Sequence, residues 1–165
     1  MASTVSRRYA CLSFVGALAA IAGWPRPAAS QTKAPASAKP MLIVYKDAAC
    51  GCCGAWVDHM HSNGWRTTVT NGDMSPIKLK YKIPGNLQSC HTTIVDGYVV
   101  EGHVPASDVA KLLAAKPKGI VGITIPGMPA SAPGMDLMPF RPYTVLTFDA
   151  NGKTTVFAQH DKAGR

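Results

Sequence analysis

The stretch MLIVYKDAACGCCGAWVDHM, residues 41–60, joins a strand pattern to a helix pattern through a cysteine-rich motif. Residues 41–45 have the length and the β-branched content of a buried strand. After the CGCC motif, side chains recur at the spacing of one buried helix face. They are Cys53, Trp56, Val57 and Met60. Asn63-Gly64 predicts the C-terminal end of this helix.

The segment TTIVDGYVVEGHV, residues 92–104, predicts a β-hairpin, because two β-rich runs flank Asp96-Gly97 and this dipeptide suits a type I′ turn. A helix is then predicted to be capped by Ser107 and to end before Pro117. Residues 122–142 are rich in Gly, Pro and Met, and we predict that they connect this helix to a last hairpin. The strands of that hairpin are YTVLTF and KTTVFA, separated by a turn at DANG.

Two further elements lie between the first helix and the first hairpin. Residues 65–70 predict a second strand, and Ser75-Pro76 predicts the start of a short helix. The resulting order is β-α-β-(α)-β-β-α, with the thiols at the first strand–helix junction. Because a CxxC motif beside a βαβ pattern is typical of thioredoxin-like proteins, we predict an α/β, thioredoxin-like fold with an extra C-terminal β-hairpin.

The N-terminal segment has the pattern of an export signal. Arg7 and Arg8 precede an uncharged stretch of 13 residues and then a run of small residues. This stretch is shorter than the roughly 20 residues that a membrane span needs. We therefore predict a signal peptide at residues 1–30, and the paired arginines leave both the Sec route and the twin-arginine route open.

The remaining segments divide the mature chain. Residues 31–40 have the composition of a disordered linker, residues 41–160 form the predicted metal-binding domain, and residues 161–165 form a disordered tail. No membrane span remains after removal of the signal peptide.

The charge of the mature chain gives no indication of a nucleic-acid partner. Removal of residues 1–30 lowers the formal net charge from +8 to +5, because 14 of the 17 basic residues then face 9 acidic ones. Lys78, Lys80 and Lys82 form the densest basic group, with Tyr81 as its one aromatic neighbour. We interpret this group as a solvated face, since a nucleic-acid surface would be unusual in an exported protein.

Two interpretations of the cysteines involve disulfide chemistry. A purely structural disulfide between Cys50 and Cys53 is disfavoured, because it would close a very short loop. A redox-active pair is more plausible, because a CxxC motif at a helix N-terminus favours the thiolate. Against a plain oxidoreductase, Cys52 is a competing thiol. Cys90 and His91 also stand where thioredoxins carry a proline that faces the CxxC pair.

The third interpretation is a metal site. The loop before the first hairpin is predicted to face the CGCC turn, so four sulfurs and one imidazole converge. Such donors suit Cu(I) and Zn(II). Adjacent Cys52 and Cys53 are crowded for one tetrahedral ion and bridge neighbouring ions more naturally, so we predict copper, as Cu(I), in preference to zinc. The predicted ligands are Cys50, Cys52, Cys53, Cys90 and His91.

Other soft or borderline donors are weaker candidates. Three methionines lie in the Gly/Pro-rich segment, but Met also fills gaps in any core. They are Met128, Met135 and Met138. His59 is predicted to lie outside the site or in solvent, His103 to cap a loop, and His61 and His160 to lie on the surface.

Three motifs, in order, resemble the CopG-type family of small periplasmic proteins associated with copper-resistance gene clusters in Gram-negative bacteria. They are KDAACGCCGAWVDHM, LQSCHTTIVDGYVVEGHVPASD and IPGMPASAPGM. The resemblance covers residues 41–160. It implies a thioredoxin-like fold, a periplasmic location and Cu(I) held by the four cysteines, with His91 beside them, in a multinuclear cluster. It also implies that other periplasmic copper-resistance proteins are partners.

The sequence thus predicts an exported copper-binding protein that sequesters or redox-handles Cu(I) and contributes to copper resistance. A metal-binding protein is favoured over an enzyme, with a copper- or thiol-redox activity left open. The alternatives are a periplasmic thiol–disulfide oxidoreductase that uses Cys50 and Cys53, and a zinc-stabilised interaction module.

Overall fold

The computed structural model describes residues 38–135 and 137–162. The predicted signal peptide, the predicted linker up to residue 37 and the last three residues of the predicted tail lie outside these ranges. Within the described residues, no helix has both the length and the apolar character needed to cross a membrane.

The described residues form a mixed α/β fold around one sheet. The strands are β1 (Leu42–Lys46), β2 (Thr67–Asn71), β3 (Thr92–Val95), β4 (Tyr98–Glu101), β5 (Ile120–Thr124), β6 (Tyr143–Asp149) and β7 (Thr154–His160). The helices are α1 (Gly51–Ser62), α2 (Ser75–Lys80) and α3 (Ala106–Ala115), and one 3₁₀ turn spans Gly85–Leu87. The predicted α/β class is confirmed.

The seven strands of the described part are ordered β2-β1-β3-β4-β5-β6-β7. β1 runs parallel to β2 and antiparallel to β3, and β3 runs antiparallel to β4. β5 pairs parallel with β4 and antiparallel with β6, which in turn pairs antiparallel with β7. The extra C-terminal hairpin is therefore present, and it joins the sheet through β5.

The interpretation of residues 122–142 wholly as a connection is wrong, because β5 includes the first of them. Gly122 interrupts the β-rich run, so the sequence pattern does not indicate a strand there. The structure gives the reason for this glycine. A Cβ placed there would lie 2.1 Å from the backbone oxygen of Val99 on β4, so only glycine allows the two strands to approach this closely.

Helix α1 begins at Gly51, inside the CGCC motif, and carries two of the cysteines in its first turn. Cys50 is the N-cap residue, so Cys52 and Cys53 are helical rather than part of a preceding turn. The predicted buried face is confirmed, with Cys53, Trp56, Val57 and Met60 all buried. Asn63 ends the helix, also as predicted.

The predicted cap of the third helix is wrong. α3 begins at Ala106 after Pro105, and Ser107 is exposed and inside the first turn. His59 replaces the missing cap, because its Nε2 accepts a hydrogen bond of 3.2 Å from the backbone N–H of Ala106. A backbone N–H at the start of α3, which has no acceptor within its own helix, is thus bonded to a side chain of α1.

The β3–β4 hairpin determines where the candidate site lies. Asp96 and Gly97 both have positive φ, as a type I′ turn requires. Thr92 pairs with Glu101, and the chain continues the pairing with a bond from the Gly102 N–H to the His91 carbonyl. The residues just before β3 and just after β4 therefore lie side by side. Since β1 runs antiparallel to β3, this end of the hairpin also lies at the end of β1 from which the chain leads to Cys50.

The interpretation of Lys78 as part of a solvated face is wrong. Lys80 and Lys82 are exposed, but only 9% of Lys78 is. Its ammonium group forms an ion pair with Glu101, which is fully buried on β4. The lysine lies on the side of α2 that faces β3 and β4. A helix of 6 residues is too short for a periodic pattern to distinguish this position from its neighbours.

Candidate metal site

The first half of the site, which we call the thiol side, consists of Cys50, Cys52 and Cys53 at the start of α1. Cys50 and Cys53 form a disulfide. The Sγ of Cys52 lies 3.5 Å from the Sγ of Cys50. Backbone N–H groups at a helix N-terminus favour negative charge, so this position favours thiolates once the disulfide is reduced.

The second half, which we call the hairpin side, consists of Cys90, His91 and His103. Cys90 and His91 come just before β3, and His103 comes two residues after β4. The Sγ of Cys90 lies 2.9 Å from Nε2 of His103 and 3.5 Å from Nδ1 of His91. Both histidines are almost fully buried.

The two sides meet in overlapping groups of possible ligand atoms. Within each group all ligand atoms lie within 4.8 Å of one another. The first group is Cys50, Cys52, Cys53 and Cys90, and the second is Cys53, Cys90, His91 and His103. The structure thus brings together all five residues predicted as ligands and adds His103, which the sequence interpretation assigned to a loop cap.

The orientation of the His103 ring makes it a competent ligand. Its Nδ1 lies 2.7 Å from the backbone oxygen of Pro133. Because a carbonyl oxygen can only accept, Nδ1 carries a proton, so the neutral form of the ring has its lone pair on Nε2, the atom that faces the Cys90 sulfur. Metal-ligating histidines are commonly oriented by such a bond through their other nitrogen.

His91 is held as a neutral ring in an apolar setting. Burial lowers its pKa well below the usual value, and the charges of His103, Lys78 and Lys46 act in the same direction. The ring lies against Trp56, with centroids 4.5 Å apart, and edge-on to His103 at 4.9 Å. Its Nε2 is buried and has no hydrogen-bond partner among the described residues. The other ring nitrogen, Nδ1, faces the Cys90 sulfur at 3.5 Å. A ring with one nitrogen beside a sulfur and the other buried without a partner in the described part of the chain suits a metal-binding position.

The Cys90 thiol is protonated at neutral pH. Burial raises its pKa to about 11, with a further contribution from the nearby Cys52 thiol. A metal ion that bound here would displace this proton, since the thiolate is the ligand.

A network of buried polar groups surrounds the residues next to Cys90 and His91. Glu101 accepts hydrogen bonds from the Ser89 N–H and the Thr92 hydroxyl, both at 2.7 Å. Lys78 donates to the Ser89 carbonyl at 2.9 Å and reaches the Thr92 hydroxyl at 3.2 Å. Burial raises the pKa of the Glu101 carboxyl, and the contacts with Lys78, Thr92 and Ser89 oppose this shift.

The loop that carries the methionines contacts both sides of the site through its backbone. Pro133 orients His103, and the next residue, Gly134, packs against α1. A Cβ at Gly134 would lie 2.8 Å from the Cys52 carbonyl oxygen. The thioethers of Met128 and Met138 are exposed, and Met135 is half-buried. The two donor groups consist of cysteine and histidine alone.

The other histidines lie outside both donor groups. His59 contacts the start of α3, and His61 is exposed, with its Nε2 at 2.8 Å from the Thr67 hydroxyl. The prediction of a surface position for His160 is wrong. It is half-buried, stacks on Tyr143 and has its Nε2 at 2.7 Å from a carboxylate oxygen of Asp108.

The sheet and the cluster define a mixed α/β protein with a cysteine–histidine site that can hold metal. A family model described as a protein of unknown function, DUF411, matches residues 87–135. A comparison with curated proteins finds no match.

Two solved structures are similar over most of the chain. "Copper resistance protein copG- Form 1" shares 37% identity and a TM-score of 0.70, and covers 75% of this chain and 99% of its own. "Copper resistance protein copG- Form 2" shares 38% identity and a TM-score of 0.69, and covers 74% of this chain and 98% of its own. The chain belongs to the CopG family of copper resistance proteins.

Proposed function

We propose that this chain is an exported copper-binding protein that sequesters or redox-handles Cu(I) and contributes to copper resistance. The observation that carries the proposal is the overlap of the two donor groups, which share Cys53 and Cys90. Thiolates and neutral imidazoles are the donors that Cu(I) accepts readily. The similar solved structures of a copper resistance protein support copper as the cargo.

The ligands in this proposal are the predicted set together with His103. They are Cys50, Cys52, Cys53, Cys90, His91 and His103. Binding by the full set requires reduction of the Cys50–Cys53 disulfide, which consumes two electrons and two protons and yields two thiols. A shared sulfur can bridge two ions, so the overlap favours more than one Cu(I) per chain and disfavours a single tetrahedral zinc.

The thioredoxin-like fold is also part of the proposal. The order β2-β1-β3-β4, the parallel β1–β2 pair and the antiparallel β3–β4 hairpin support it. The position of the CxxC pair at the start of α1 supports it further. Strands β5, β6 and β7 would then be an addition to that fold.

A Cu(I) titration of the reduced protein without oxygen tests the proposal. We expect saturation above one ion per chain and retention of copper in the presence of equimolar zinc. Saturation at one ion would contradict bridging, and a preference for zinc would support the zinc-stabilised module instead.

A thiol–disulfide oxidoreductase is the second candidate, because Cys50 and Cys53 form a disulfide at a helix N-terminus. Cys52→Ala separates the two functions. As a copper protein, the variant should lose tight Cu(I) binding, and copper tolerance should fall in cells that lack the native gene. As an oxidoreductase, it should reduce insulin disulfides as well as the unchanged protein or better. Full copper tolerance combined with efficient disulfide reduction would favour the second candidate.

We further propose export to the periplasm through a signal peptide at residues 1–30, with other periplasmic copper-resistance proteins as partners. The measurement is the N-terminal sequence of the protein in the periplasmic fraction, which should begin near Gln31. An uncleaved chain in the cytoplasmic fraction would contradict export without affecting the copper titration.

A further inference from the structure

A buried ion pair lies directly behind the hairpin side. Lys78 is 9% exposed and Glu101 is fully buried, yet both are charged residues on different elements, α2 and β4. Burial of two charges costs several kcal/mol per ion, and an apolar pair of similar volume is often as stable or more stable. Fold stability alone therefore does not account for this pair.

The contacts of the pair converge on the residues that flank Cys90 and His91. Glu101 accepts from the N–H of Ser89, and Lys78 donates to the carbonyl of the same residue. The backbone N–H and the carbonyl of Ser89, the residue before Cys90, are thus both hydrogen-bonded to the ion pair.

The residue after His91 is fixed in the same way. The Thr92 hydroxyl donates to Glu101 at 2.7 Å and lies 3.2 Å from the Lys78 ammonium group. The two ligands therefore lie between two anchored residues. Cys90 and His91 precede β3, and the sheet pairing reaches them through the bond from the Gly102 N–H to the His91 carbonyl. The contacts of Ser89 and Thr92 with the ion pair hold the segment on both sides of that bond.

Ser89 extends this anchoring to the methionine-containing loop. Its hydroxyl donates a 2.6 Å hydrogen bond to the Gly127 carbonyl. The same loop orients His103 through Pro133. Ser89 thus links the ion pair to the segment that orients the third donor of the hairpin side.

We propose that the Lys78–Glu101 ion pair positions the Cys90–His91 segment for metal binding. This inference rests on the proposed copper-binding function. Neither residue is a ligand in it. Their effect passes through Ser89 and Thr92, as for the outer-shell partners of metal ligands, whose loss typically lowers metal affinity about 10–100-fold.

The test compares affinity with stability in the double variant Lys78→Met/Glu101→Leu. This variant replaces the ion pair with apolar side chains and leaves no unpaired buried charge. The Ser89 N–H and the Thr92 hydroxyl lose their acceptor, so the melting temperature should fall by several degrees while the fold is kept. Its Cu(I) affinity, measured in competition with a chromophoric Cu(I) chelator, should fall about 10–100-fold. The absorption spectrum of bound Co(II) should also change, because a displaced donor alters the ligand field.

Two further variants keep the test decisive. Thr92→Val removes one anchoring hydroxyl and preserves the strand, so it should lose affinity a few-fold even if the double variant fails to fold. Asp96→Asn is the matched control, because Asp96 lies at the exposed turn of the same hairpin and forms a 3.0 Å surface ion pair with Lys116. Its affinity should be unchanged.

The outcomes separate this inference from the proposed function. If the folded double variant, or Thr92→Val where the double variant does not fold, binds Cu(I) as tightly as the unchanged protein, the positioning role is wrong and copper binding stands. If the unchanged protein binds no Cu(I), the proposed function fails first. Weaker binding and an altered Co(II) spectrum in a variant that is folded at the temperature of the titration support the positioning role.

Discussion

The two sides of the candidate site are built in opposite ways. The thiol side is a contiguous motif at a helix N-terminus, and two of its three sulfurs are joined in a disulfide. The hairpin side consists of residues just before β3 and just after β4, which lie together at the open end of the hairpin. Its two histidines are almost fully buried. The availability of donors on the thiol side therefore depends on redox state, whereas that of the hairpin side depends on packing.

Oxidation therefore affects the two sides differently. Disulfide formation withdraws Cys50 and Cys53 from metal binding but leaves Cys90, His91 and His103 in place. The hairpin side is held by hydrogen bonds to Pro133 and, through Ser89 and Thr92, by the buried ion pair. Oxidation of the thiol side breaks none of these contacts.

The largest expected effect is on copper capacity when the disulfide forms. The oxidised chain should hold at most one Cu(I), bound on the hairpin side, because a disulfide sulfur is a much poorer ligand than a thiolate. The reduced chain should hold more. The measurement is bound copper per chain after oxidation and after re-reduction, without oxygen during loading. Re-reduction is the control and should restore the capacity. An oxidised chain that keeps its full capacity would show that the thiol side is not a principal donor.

Loss of His103 should have the next largest effect. His103→Ala removes an imidazole whose Nε2 lies 2.9 Å from the Cys90 sulfur, so Cu(I) affinity should fall at least about tenfold. His61→Ala is the matched control, because His61 is exposed on α1 and should leave affinity unchanged. Equal affinities for the two variants, measured by competition with a Cu(I) chelator, would remove His103 from the ligand set.

The position of His103 beside Cys90 follows from the predicted hairpin, which contains both strands and fixes their register. A two-residue turn at Asp96-Gly97 fixes the register, so Thr92 faces Glu101 and, two residues further out, Cys90 faces His103. The turn was predicted and is confirmed. The β-rich pattern ends before His103, and the pattern alone predicts only a residue that caps a loop there.

Other features of the site had no such indication in the sequence. The thiol side could be predicted because its residues are neighbours and because a CxxC motif at a strand–helix junction has a known chemistry. The burial of Lys78 depends on how α2 packs against β4. The need for glycine at position 122 of β5 depends on its close approach to Val99, a residue distant in the sequence. Such contacts leave no local pattern.

The loop that touches both sides offers a smaller effect, on stability. Gly134 has φ +84°, and an added Cβ would meet the backbone of Trp56 at 2.7 Å. Gly127, in the same loop, has φ +72° but nothing within 4 Å of an added Cβ. Gly127→Ala should therefore cost only the strain of positive φ, about 1–2 kcal/mol. Gly134→Ala should cost clearly more, because the backbone must also move.

Chemical denaturation of both variants measures this difference. Gly134→Ala should also weaken Cu(I) binding, since its movement disturbs α1 on the thiol side and Pro133 on the hairpin side. Equal unfolding free energies for the two variants would mean that the loop moves away from α1 at no cost in stability. The loop would then not connect the two sides.

The smallest effect concerns the protonation of Cys90. Burial raises the pKa of this thiol from 9.0 to about 11, so the folded chain holds the proton at a pH where the unfolded chain has lost it. The stabilising contribution is therefore complete below pH 9 and is lost as the pH rises towards 11. In the metal-free disulfide form, the unfolding free energy of the unchanged protein should fall over this window relative to that of Cys90→Ala, which has no such group. Alkylation of Cys90 should follow the same titration, because only the thiolate reacts. The alkylation rate of Cys90 should therefore still rise at a pH where that of an exposed thiol such as glutathione has reached its plateau. If the two thiols reach their plateaus at the same pH, the Cys90 sulfur is solvated, and the description of the hairpin side as buried does not hold for this residue.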